Sequence, residues 1–453
     1  MTQTAHATSD VQPRQEHHEQ TPGERTASEL LARIAELTAQ NAWGLIVETF
    51  HPLAEKYPAA DADPKSHSIL SGIAFAFSQL HRFDEALALL AVCLERCPGY
   101  YRYLSSVAFN CYNALMADKS REIKLGDRRQ SYFTRAEAAF IEAEKAFPQG
   151  VVDFYRHGML YHHLSTMTDR KAVPLFLKAI ENWEAMGPEA RQDRHKDFKN
   201  YVKALYHLAK AYLNLGEPDK AIDAIGRCLR EDDTTHHEEA VHKFYIAGKA
   251  HMATGDHDGA VKFLRVAAHQ KTRRPKDYIY EAIARCLLQL GEHETARGWI
   301  ERIPAQYRKP YVLRLQATIL ARSGNLAGAC EQFKQALKRD RQGRHKTLYA
   351  WGVALFQDKQ YARALELFMQ ANQEKRKGFA TEYANAVYMA GKCHAALSDT
   401  TAAADAYRRA LAIDSRHSHA AGALDRMGIR PGNTAPAPAD EEWEQLLRMA
   451  DGG

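Results

Sequence analysis

No window of the 453-residue chain approaches the roughly 18 consecutive apolar residues of a membrane-spanning helix. The opening "MTQTAHATSDVQPRQEHHEQTPGERT" lacks a basic start followed by an apolar core, so no secretory signal is read there. The expected compartment is the cytoplasm. Cysteine is sparse: Cys93, Cys97, Cys111, Cys228, Cys286, Cys330 and Cys393 include no CxxC pair, which argues against a zinc ribbon or a redox motif. Spread through apolar helical runs, they read as reduced, buried thiols. Neither sign of charge dominates, since 61 Lys and Arg face 56 Asp and Glu for a net +5. A nucleic-acid partner calls for a concentrated basic patch, and this balance argues against one.

Signatures of chemistry are missing as well. There is no GxGxxG, GxxxxGK[ST], HExxH or GxSxG in the chain. Twenty-two histidines invite a metal reading, above all His162-His163, His236-His237 beside Glu238-Glu239, and His242 with His251. Neighbours on a helix point about 100° apart, so a doublet does not offer two ligands to one ion. Glu217, Asp219, Asp256 and Asp258 fall where second helices begin, and the helix dipole accounts for them there. No catalytic residue, cofactor or metal is expected, and the chain reads as non-enzymatic.

What the chain does have is rhythm. Residues 1–26 are polar, with Pro13, Pro22 and Gly23, and are expected to be disordered. From Ser28 to Arg430 helical periodicity is nearly continuous, and alternating β-branched runs are missing. Glycine and proline punctuate it at short intervals, predicting antiparallel helix pairs. Self-comparison aligns "YLNLGEPDKAIDAIGRCL" (212–229) with "HMATGDHDGAVKFLRVAA" (251–268), "LFQDKQYARALELFMQAN" (355–372) and four further segments. The aligned small residues are Ala86, Ala221, Ala260, Ala296, Ala329, Ala364 and Ala403, the last six separated by 39, 36, 33, 35 and 39 residues. Each first helix carries its own small residue, at Ala74, Ala209, Gly248, Ala284, Ala317, Gly352 and Gly391. Helices approach closely only where side chains are short, so these positions mark crossings. Gly216, Gly255, Gly291 and Gly324 end first helices, where a positive φ is wanted.

This pattern resembles the tetratricopeptide repeat. The resemblance is clearest over 67–100 and 202–415, with degenerate pairs at 28–60, 101–150 and 152–186 and a closing helix at 416–430. It implies an all-α, right-handed superhelical α-solenoid of about ten antiparallel helix pairs over 27–430, with a concave groove lined by first helices. Residues 431–453 then form a Pro/Ala linker and a short acidic amphipathic tail.

Three rows recur on the first helices, and the resemblance turns them toward the groove. One row is Tyr206, Tyr245, Glu281, Arg314, Tyr349 and Tyr388. A turn later come Lys210, Lys249, Arg285, Thr318, Val353 and Lys392, and a turn earlier Lys203, His242, Tyr278, Tyr311, Lys346 and Asn385. Such a tyrosine and basic stripe suits extended or helical acidic, aromatic segments of partner proteins. The paired asparagines with which some family members grip a C-terminal carboxylate are missing, so that specificity is not carried over.

The tail "ADEEWEQLLRM" puts Trp443, Leu446 and Leu447 on one side of a short helix. It could dock on its own array, on a second copy by self-association, or on another protein. The resulting expectation is a protein-interaction scaffold or adaptor. The alternatives are a chaperone-like escort of a secretion or assembly substrate, RNA binding through the basic rows, and a regulatory subunit of an enzyme.

Overall fold

The computed structural model describes residues 26–164 and 168–429, and among them no strand occurs. The chain divides into two compact units, 1–238 and 239–453.

The first unit opens with α1 (Ala27–Ala39) and α2 (Trp43–Phe50), then the short α3 (Leu53–Lys56) and α4 (Pro58–Asp61). Helix pairs follow: α5 (Ser66–Gln79) with α6 (Phe83–Arg96), α7 (Tyr101–Ser120) with α8 (Arg129–Ala146), and α9 (Val152–Leu164) with α10 (Asp169–Glu184). After the short α11 (Pro188–Asp193), α12 (Phe198–Asn214) pairs with α13 (Pro218–Glu231). The second unit holds α14 (Ala240–Thr254) with α15 (His257–His269), α16 (Asp277–Gln289) with α17 (His293–Glu301), and α18 (Pro310–Arg322) with α19 (Leu326–Arg339). It continues with α20 (Arg344–Gln357) and α21 (Tyr361–Phe379), α22 (Ala384–Ala396) and α23 (Thr400–Ile413), and closes on α24 (Ser418–Arg426). With α1 and α2 as the opening pair, the described residues form ten antiparallel pairs, as the repeat pattern predicts.

The small residues sit at the crossings. All seven aligned alanines of the second helices are fully buried. Four residues after each of them comes a bulky core residue: Leu90, Ile225, Leu264, Ile300, Phe333, Phe368 and Tyr407. Where the first helix has glycine there is no room for more. A Cβ added at Gly352 would lie 2.8 Å from the Phe368 ring, and one at Gly391 would lie 2.7 Å from Tyr407. One pair cannot bury these faces alone, so within each unit the pairs stack on their neighbours.

The turn five residues before each aligned alanine is equally regular. Gly216, Gly255, Gly291 and Gly324 take φ of 75°, 85°, 80° and 84° there. His81, Lys359 and Ser398 occupy the same place at 60°, 62° and 67°. The geometry is therefore set by the repeat, whether or not the residue suits it. A Cβ in this region costs about 1–2 kcal/mol, part of which glycine gives back in chain entropy. Lys359→Gly is accordingly expected to raise the unfolding free energy by about 0.5–1 kcal/mol. A urea titration in which the variant is no more stable than the parent would refute this account of the turn.

The seven cysteines are all free; Cys97 and Cys330 are half-buried and the rest buried. Burial pushes the Cys93, Cys111 and Cys393 thiols up to about 12, where they are unreactive.

Candidate interaction surfaces

In the second unit successive first helices touch directly, α14 with α16, α16 with α18, α18 with α20 and α20 with α22. Their predicted rows therefore meet. Tyr245 and Tyr278 pack edge to face, ring centroids 4.7 Å apart. Arg314 donates to Thr347 Oγ1 across the next junction at 3.4 Å. Lys392 lies over the Phe356 ring, 4.9 Å from its centroid. Tyr349 packs against Phe368 and Tyr383, and Tyr388 against Tyr407, His417 and His419. Tyr245, Tyr278, Tyr349 and Tyr388, with His242 and Tyr311, are half-buried, while Lys249, Arg285 and Lys346 stand exposed. Arg285 pairs with the buried Glu281 one turn before it. Burial pushes the Tyr245 and Tyr349 phenols up to about 12, so both remain protonated donors. The result is a set of seated rings on first helices that also carry exposed cations.

The first unit treats its share of the rows differently. Tyr206 is buried, its ring edge-on to His207 at 5.1 Å, with Lys210 over it at 5.4 Å. The helix that carries it, α12, packs against both α9 and α10. Lys203 reaches Glu238 at 3.8 Å. Trp443, Leu446 and Leu447 lie outside the described residues.

Beside Tyr206 is a buried polar cluster whose centre, His207 and Asp169, belongs to no sequence motif. His162 Nδ1 and Asp169 Oδ1 are 2.5 Å apart, and Asn214 donates to the other Asp169 oxygen at 2.7 Å. Tyr112 meets His163 Nδ1 at 2.7 Å. The doublet therefore splits between two partners, as rotation along a helix requires. His207 stacks on Phe176 and lies 5.3 Å from His162 and 6.2 Å from His163, centroid to centroid. Its Nδ1 is buried and finds no hydrogen-bond partner among the described residues. Burial lowers the pKa of all three, His163 to about 4 and His207 well below its ordinary value. Among the described residues no group of three or more His, Cys, Asp or Glu could hold a metal ion. No helix among them is long and apolar enough to cross a membrane.

Two tetratricopeptide repeat family models match the chain, one over 206–278 and 314–378 and the other over 251–319. The chain is a tetratricopeptide repeat protein. No curated protein resembles it closely enough to match. Among solved structures it is similar to the APC/C hetero-tetramer Cut9-Hcn1, with 14% identity over 89% of this chain and 84% of that one and a TM-score of 0.41. A tetratricopeptide repeat protein from Parabacteroides merdae gives 15% identity, 64% and 99% coverage and a TM-score of 0.41. Yeast Tom70 gives 13%, 93% and 99%, and 0.37. These likenesses are weak, and the assignment rests on the family models.

Tetratricopeptide repeats build protein-interaction scaffolds, and the stacked pairs supply the extended surface this requires. In this tetratricopeptide repeat protein the stacking also explains the seated rings. A tyrosine wedged between two first helices loses little freedom on meeting a ligand, and its hydroxyl stays available.

Proposed function

We propose that the protein is a non-enzymatic scaffold that binds acidic, aromatic segments of partner proteins along the first helices of its second unit. The observation that carries this reading is the strip itself. Rings of neighbouring pairs touch, as Tyr245 and Tyr278 do, while Lys249, Arg285 and Lys346 project beside them. An extended or helical segment laid across the pairs would stack on the rings and set its carboxylates against the cations.

Because Lys249 and Lys346 are exposed, reversing them should spare the fold. Affinity capture with the Lys249→Glu/Lys346→Glu variant is expected to lose most partners that the wild-type chain retains, with helicity unchanged. Identical partner sets would move binding to another face. Capture of RNA in place of protein, lost steeply as salt is raised, would replace the reading by nucleic-acid binding.

A further inference from the structure

Three residues after each aligned alanine, the second helix packs against the outer side of its own first helix, four residues before that helix's crossing position. Most pairs fill this place with bulk: Leu70 and Leu89, Tyr280 and Trp299, Leu348 and Leu367. In the pair of α14 and α15 it holds two stacked rings, Phe244 and Phe263, 6.5 Å apart. The last pair has Val387 and Ala406, the smallest combination in the aligned repeats, Leu205 and Ala224 coming next. A hollow of about 840 Å³ opens there between α21 and α23, floored by α22. Leu365, Met369, Val387 and Ala406 line it, and Met369 is 62% exposed.

The rim is basic. Arg376, Lys377 and Arg409 border the hollow. Two of them share one carboxylate, since Glu382 pairs with both Arg409 and Arg376. Lys377 shares Glu374 with Arg344. Asp405, on the same rim, is taken by Arg408 at 2.8 Å. Positive charge is left in excess around an apolar lining in which the Phe368 ring lies beside the small Val387 and Ala406.

The described chain ends beside it. Ile429 packs on the cluster of Ala403, Ala404, Tyr407, Ala423 and Leu424, on one side of α23, and the hollow lies on another side of that helix. A helix is about 10–12 Å across. Residues 430–440, fully extended, reach up to about 36 Å. Beyond them come Glu441, Glu442 and Glu444 around Trp443, with Leu446 and Leu447 one turn on.

We infer that residues 441–450 dock in this hollow in cis, Trp443 taking the place that the Trp299 ring fills in its own pair, with the three glutamates against Arg376, Lys377 and Arg409. The surface lies between the second helices α21 and α23 and does not depend on the tyrosine and basic strip. So short a tether holds the segment at about millimolar effective concentration, and occupancy is set within one chain.

Amide hydrogen exchange of the full-length chain tests this. Residues 441–450 are expected to exchange about tenfold or more slower than a free chain. Free-chain rates are expected to return in Trp443→Ala, which leaves every repeat intact. They are also expected in Ala406→Leu, which restores the residue found at 89 and 367 and whose helicity is checked by circular dichroism. Free-chain exchange in the wild type would overturn the inference. So would protection that survives Ala406→Leu, which would put the segment elsewhere. Protection that rises with protein concentration, together with a dimer in sedimentation, would make the occupant a second copy and overturn docking in cis.

Discussion

Gly248→Ala is expected to destabilise the wild-type protein and to stabilise a Leu264→Ala variant. The two residues face each other where α14 crosses α15. A Cβ built on Gly248 lies 2.5 Å from Leu264 Cγ and 2.7 Å from its Cδ2, distances that real Cβ atoms do not keep. The carbonyl oxygen of Ala260 stands 3.3 Å away, so the helices cannot simply close up. Overpacking of this kind costs about 1–3 kcal/mol, against about 1 kcal/mol that alanine gains over glycine inside a helix. Leu264 is fully buried, and its truncation alone should cost about 2–5 kcal/mol, the range reflecting how far the site collapses. Once Leu264 is gone the added methyl enters the cavity, and the helix-propensity gain of about 1 kcal/mol is no longer opposed. Urea unfolding of the four proteins closes a double-mutant cycle. Additive effects would show that the crossing does not set the residue sizes, and the explanation of the repeat pattern would fall with it.

That crossing was legible in the sequence because it recurs in phase. Seven aligned alanines and their first-helix partners are one physical constraint repeated, and each repeat checks the others. The positive-φ turn was legible only where glycine marks it. At His81, Lys359 and Ser398 the backbone does the same with residues that give no local sign, and alignment alone exposes them. The rows on the first helices could be read as faces, since period alone assigns a face. Their exposure could not, because it depends on which helix covers which. Tyr206 shows the difference: it is in phase with Tyr245 and Tyr349, yet it is buried where they are half-buried. The histidine cluster was hidden for the same reason. His207 is far in sequence from His162 and Asp169 and meets them only because α12 packs on the preceding pair. The hollow at Val387 and Ala406 was in principle readable as the place where an aligned position runs out of bulk. It goes unnoticed while attention rests on the residues that are present.

The histidine cluster should make the first unit lose stability in mild acid. Burial is the largest cause of the lowered pKa of His162, His163 and His207; nearby Lys210 adds to it for all three, and Lys119 for the first two. His207 also feels Lys203, and the two other histidines oppose its charging. Only Asp169, beside His162, favours a proton. The unfolded chain takes up protons as pH falls through about 6.5, while the folded chain refuses them until a lower pH, about 4 for His163. Stability from these groups is therefore complete above pH 6.5 and is lost as pH falls toward the folded values. Each histidine that stays neutral costs the folding equilibrium about tenfold per pH unit in that window. Asp153 works in the opposite sense, because burial raises its pKa, so the readings belong above pH 5, before carboxylates titrate. Urea unfolding at pH 7.5, 6.5 and 5.5 is expected to show a steep fall across the last interval. In a His163→Gln/His207→Leu variant the fall should flatten by about a hundredfold per pH unit, two protons' worth of linkage. His207→Leu also removes a buried Nδ1 without a partner among the described residues, so the variant should be no less stable than wild type at pH 5.5. An unchanged slope would place the acid sensitivity in other groups.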